Sequence, residues 1–138
     1  MRKRTRAREL ALQILYQMEC TREAADAALN NFWQSHDEEE LAEELRDFTG
    51  RLVCGVADKL ELIDKEISAH ADNWQIERMA LIDKNIMRMS CFELLFCADI
   101  PPKVSINEAV DLAKKYSGPD AGKFVNAILD KIKQEKEK

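Results

Sequence analysis

The chain lacks most of what catalysis and membrane insertion need. It has no glycine-rich phosphate loop, no H-E-x-x-H zinc helix and no Ser, His and Asp set at suggestive spacing. No apolar run approaches the ~20 residues of a membrane span. The basic start also lacks the apolar stretch of a signal peptide, so the expected compartment is the cytoplasm. There are only four glycines and three prolines, and five valines, ten isoleucines and three threonines are too few β-branched residues for a sandwich or barrel. Cys20, Cys54, Cys91 and Cys97 contain no C-x-x-C pair, and His36 and His70 stand alone. The thiols therefore read as small, reduced apolar side chains, with no metal and no cofactor expected.

What is present points to helices. Ala, Leu, Glu and Lys, all strong helix formers, make up 57 of the 138 residues. Apolar residues at 46% and charged residues at 34% describe a folded protein, expected to be a single domain over 1–138. Its charge is uneven. Arg2, Lys3, Arg4, Arg6 and Arg8 put five positive charges and no acid into the first eight residues, within a chain whose net charge is −5. A basic arm (1–8) thus precedes an acidic body, and a polar tail (133–138), expected to fray, closes the chain.

Periodicity gives about seven amphipathic helices and an all-α fold. The first runs from about Thr5 to Cys20, with Leu12 and Tyr16 outside its main stripe, so that either the helix is buried on two sides or Tyr16 meets something external. Ala24 to Trp33 forms a short helix. Ser35 and Glu38 match a capping box ahead of a long helix through Ile67, with a break expected near Asp64. Gly50 and Gly55 within it suggest close helix contact, and the acid run Asp37–Glu44 reads as a solvated helix start. A short turn covers Trp74 to Met79. Asp83 is the expected cap of a helix to about Ala98, apolar nearly all round and hence central. Ser105 and Glu108 suggest another capping box, Asp120 the cap of a last helix.

Three features suit binding. Cations near a helix start oppose the macrodipole, and a bound phosphate reverses that balance. Tyr16 lies beside the core stripe. Lys123 and Phe124 follow a Gly-Pro turn, Phe124 at the edge of its stripe, where it is either core or a ring that single-stranded bases can reach. Glu93, on the encircled helix, is expected to be structural and paired.

Several blocks carry a family resemblance. They are Ala7-Arg8-Glu9 with Ala11-Leu12-Gln13 and Leu15-Tyr16, then Phe92-Glu93-Leu94-Leu95, then Ile100-Pro101-Pro102-Lys103-Val104-Ser105-Ile106-Asn107-Glu108-Ala109-Val110 running on to Tyr116, and Lys123-Phe124-Val125-Asn126-Ala127-Ile128-Leu129-Asp130. In order and spacing they resemble the bacterial transcription antitermination factor NusB family; Thr21 to Asp72 matches only in helical pattern. The resemblance implies two packed helical bundles and a non-catalytic RNA-binding adaptor. Its implied partners are boxA-type RNA of ribosomal RNA transcripts, the ribosomal protein NusE and the RNA polymerase elongation complex, with no membrane and no DNA. The implied RNA-binding residues are Arg4, Arg6, Arg8, Tyr16, Arg88, Tyr116, Lys123 and Phe124, with Asp120 bordering them. The chain departs from the family in the alternate spacing of its arginines, in Ala127 where Gly is common and in Phe92 where Tyr is common. A protein-interaction module without RNA binding, and a stand-alone relative of the RNA-binding domain of an rRNA methyltransferase, remain as alternatives.

Overall fold

The computed structural model describes residues 2–36, 42–72 and 75–137, and the described residues form helices without strands. In chain order they are α1 (Lys3–Thr21), α2 (Ala25–Gln34), α3 (Glu43–Asp58), α4 (Leu60–His70), a 3-10 turn (Ile76–Arg78), α5 (Leu81–Phe96), α6 (Pro102–Tyr116) and α7 (Pro119–Lys136). They divide into two compact units, Met1–Asp58 and Lys59–Lys138.

In the first unit α1 packs against both α2 and α3. Ala7, Leu10, Ala11, Ile14 and Leu15 of α1 are buried, as are Leu45, Phe48, Leu52, Val53 and Val56 of α3. Buried Thr49 sits with its Oγ1 2.7 Å from Leu45 O and 3.3 Å from Ala7 O, so its hydroxyl satisfies itself at the α1–α3 contact. Arg22, with φ 62°, closes α1 in the left-handed region and donates its N–H to Met18 O at 2.7 Å. Ser35 closes α2 instead of opening the next helix. Its Oγ donates to Phe32 O at 2.9 Å, while His36 stacks on the Phe32 ring. Glu38, its expected capping partner, lies outside the described residues, as does much of the acid run.

The second unit is built around α5, which packs on α4, α6 and α7. Every residue from Lys84 to Leu94 is buried, as an apolar circumference requires. Glu93 is 2% exposed and engaged. Ser90 and Ser105 meet hydroxyl to hydroxyl at 2.8 Å across α5 and α6.

Several boundaries differ from those the sequence suggests. The long helix breaks at Lys59 (φ −107°, ψ 20°), and Asp64 lies inside α4. Ala80, not Asp83, precedes α5. Pro101 and Pro102 start α6, with the proline ring at the first helical position preset for helix, and Ser105 is buried further in. Gly118 (φ 128°) and Pro119 start α7, and Asp120 falls in its first turn. The tail does not fray at Lys133. Helix α7 continues to Lys136, whose ammonium contacts Leu94 O.

A Cβ at Gly50 would meet nothing within 4 Å, so no close approach requires that glycine. The close approach is at Gly122, where a Cβ would come within 2.9 Å of Lys114 Cγ; the bare backbone lets the Lys114 stem lie over α7. Ala127 is exposed and narrows no helix contact. Cys91 and Cys97 are buried, the Cys91 thiol pushed up to about 12 chiefly by burial, whereas Cys20 and Cys54 are exposed thiols and not core side chains.

Candidate nucleic-acid interface

The basic arm is helical almost from its start, and helical geometry sorts its alternate arginines. At ~3.6 residues per turn, positions four apart share a face. Arg4 and Arg8 therefore point together onto α3, with their guanidinium carbons 4.5 and 5.2 Å from the Phe48 ring centroid. Arg8 is only 3% exposed there. Arg6 instead shares a face with Gln13 and Tyr16, within about 80° of the wheel. All three are exposed, Tyr16 at 43%. The Arg6 Nη1 donates to Glu9 Oε1 at 3.3 Å, and Lys3 pairs with Glu44 of α3 at 3.3 Å. Of the two outliers of the α1 stripe, Leu12 is buried and Tyr16 is the one turned outward.

The burial of Arg8 gives it a packing role that sequence spacing could not show. Arg8→Ala removes a stem from the core edge and a cation from an aromatic face. The expected cost is about 1–2 kcal/mol of stability with helicity retained below the transition, measured by urea denaturation followed by circular dichroism. An unchanged transition would place the Arg8 stem in solvent.

In the second unit the turn from α6 to α7 collects the remaining candidates except Arg88. Ser117 and Gly118 both donate their N–H to Ala113 O, at 2.8 and 2.9 Å, and Pro119 starts the next helix at once. This tight reversal leaves Tyr116 40% exposed with the Lys115 ammonium 5.3 Å from its ring centroid. Lys123 and Asp120 are exposed, and Phe124 is half-buried beside buried Val125. Lys114, Lys115 and Lys123 give this turn its positive charge.

Arg88 sits elsewhere in the unit. It is 8% exposed, and Nε and Nη2 donate to the two carboxylate oxygens of Asp64, each at 2.8 Å, while Nη1 donates to Asn85 Oδ1 at 3.2 Å. A bidentate pair of this kind joins α5 to α4. Its signal in the sequence was only a cation on an apolar helix, with nothing to name Asp64 as its partner.

These features define a small all-α protein that presents cations beside exposed aromatic rings, the chemistry of a nucleic-acid-binding module. Comparison with known proteins narrows this. The model of the NusB family matches residues 5–134. The transcription antitermination protein NusB of Anaeromyxobacter dehalogenans is 47% identical over 94% of this chain and 89% of its own. That of Thermodesulfovibrio yellowstonii is 42% identical over 96% and 93%. Among solved structures, T. maritima NusB superposes with a TM-score of 0.85 at 34% identity, covering 96% of this chain and 91% of that one. A structure described as "Antitermination Factors NusB and NusE in complex with dsRNA" gives 0.86 at 29% identity, covering 98% of both chains. The chain belongs to the NusB family.

Proposed function

We propose that the chain is a non-catalytic RNA-binding adaptor of transcription antitermination. It takes boxA-type single-stranded RNA of ribosomal RNA transcripts together with the ribosomal protein NusE, in the cytoplasm, at the elongating RNA polymerase, and does not act on DNA. The observation that carries this reading is the outward face of α1, where exposed Arg6 and Tyr16 share one side and exposed Arg2 precedes them. Cations of this kind neutralise phosphates, and an exposed ring stacks on a base that no partner strand holds. Family membership supports the same reading, since one structural neighbour is a complex of NusB, NusE and dsRNA.

The eight candidate residues divide by exposure. Arg4, Arg6, Tyr16, Tyr116 and Lys123 contact RNA directly, and half-buried Phe124, already engaged within the protein, contributes the part of its ring that reaches solvent. Arg8 and Arg88 act by holding α1 on α3 and α5 on α4. The family has no membrane role in this reading, and none of the described helices is long and apolar enough to cross a membrane.

The test is a salt titration. Arg2→Ala with Arg6→Ala should weaken binding of a short boxA-type single strand. It should also flatten the log–log salt dependence by about 0.7 for each phosphate that is no longer neutralised. The weakening should be similar for unrelated single strands, because phosphate contacts position without specifying. A duplex of the same sequence should bind more weakly than the single strand. Equal salt slopes for the variant and the parent would remove α1 from the interface.

A further inference from the structure

Helices α4 and α7 bring together three side chains that the sequence keeps far apart. Glu66 and His70 are four residues apart on α4 and so share a face, and α7 packs against that helix and supplies Glu135. One donor atom from each of the three lies within 4.8 Å of the other two. We propose that this trio is a binding site for a divalent transition-metal ion of the zinc type, held by His70 Nε2 and the Glu135 carboxylate, with the Glu66 carboxylate, which lies 3.8 Å from Nδ1, as the third ligand.

The orientation of the imidazole carries the argument. His70 Nδ1 lies 2.9 Å from the Glu66 backbone oxygen. A carbonyl only accepts, so Nδ1 holds the proton and Nε2 is turned toward the Glu135 carboxylate, which it contacts. Metal-bound histidines are held in this way, with one ring N–H on a carbonyl and the other nitrogen presented to the ion. When the imidazole is neutral with its proton on Nδ1, a lone pair and a carboxylate face each other, and a cation between them relieves the repulsion. The proton is one such cation and a metal ion is the other. Charge points the same way. Two carboxylates face at most one imidazolium, and the nearby Lys131 is committed to Asp72 at 2.6 Å. Glu135 is largely exposed, which leaves room for water to complete the coordination. One nitrogen and two carboxylate oxygens suit zinc or cobalt better than magnesium, which prefers oxygen alone.

The surrounding groups raise the His70 pKa, through the Glu66 backbone carbonyl first and the Glu135 and Glu66 carboxylates after it, with burial opposing them. Without metal, the charged His70 therefore adds stability that is fully present below its ordinary value near 6.5 and is lost as pH rises through the raised one. Metal binding runs oppositely, because the ion needs the neutral ring.

The untagged full-length chain is titrated with Co2+ and Zn2+, read by visible absorption and by melting temperature. Expected are one saturable equivalent of Co2+, a melting temperature raised by Zn2+ more at pH 8 than at pH 6, and no such rise with Mg2+. Glu135→Gln, which alters an exposed side chain, should weaken Co2+ binding by about tenfold or more, and His70→Ala should do the same. Glu61→Gln, an exposed carboxylate in the first turn of α4 and outside the trio, should leave it unchanged. Absence of saturable Co2+ binding, or binding that survives in both Glu135→Gln and His70→Ala, would overturn the site and leave an ion pair only.

Discussion

Asp64→Ala lowers the stability of the chain by about 3 kcal/mol, the largest effect expected of any single change outside the apolar core. Asp64 accepts two charge-assisted bonds from Arg88, and the two side chains are only 25% and 10% exposed. Breaking a buried pair from one side costs ~3–5 kcal/mol, because the remaining charge has left water without its partner. The low end applies here, since Asp64 keeps some contact with solvent. Replacing both residues, Asp64→Leu with Arg88→Met, should recover most of the loss, as apolar groups of similar volume often match an ion pair. Urea denaturation of the three proteins checks this. RNA binding on the same samples separates packing from contact. If Arg88 acts only by joining helices, the doubly replaced protein binds RNA within about twofold of the parent well below its melting temperature. A large drop in affinity there, with stability intact, would return Arg88 to the interface.

Phe124→Leu weakens binding of boxA-type RNA by about 1–3 kcal/mol, roughly five- to 150-fold, while changing stability by less than ~1.5 kcal/mol. The ring is half-buried, between buried Val125 on one side and exposed Lys123 on the other. Leucine keeps most of the apolar volume that the inner half needs but has no flat face for a base. Affinity and melting temperature measured on one preparation decide the matter. Unchanged affinity with a sharply lowered melting temperature would make Phe124 a core residue.

The sequence was most informative where one property repeats along one element. The apolar circumference of α5 placed it at the centre of its unit, and the stripes of α1 and α7 placed their buried faces. Local patterns misled where tertiary context uses the same residues otherwise. Ser105 and Glu108 have capping-box spacing, but a proline pair starts the helix sooner, and the serine is spent on Ser90. Ser35 shows the same ambiguity, since a hydroxyl near a helix junction serves the helix behind it as readily as the one ahead. Partner choice was the part that periodicity could not express. Nothing in the spacing of Arg4 and Arg8 names Phe48, nothing at Arg88 names Asp64, and nothing at His70 names a carboxylate 65 positions away.

The start of α1 is electrostatically unfinished. It has no capping side chain, no acid in its first turn, and five cations where the helix dipole is positive. Contacts with α3, Arg4 and Arg8 on Phe48 and Lys3 on Glu44, hold this turn in place of a cap. A polyanion arriving there supplies what the sequence omits. Order in the first turn and affinity for phosphate are therefore one free energy seen from two sides. Amide exchange at Thr5 and Arg6 should slow on adding RNA by the factor that their disorder costs its binding. With the arm as the RNA contact proposed above, an uncapped α1 start stays responsive to that ligand where a serine cap would hold it in place by about 1 kcal/mol.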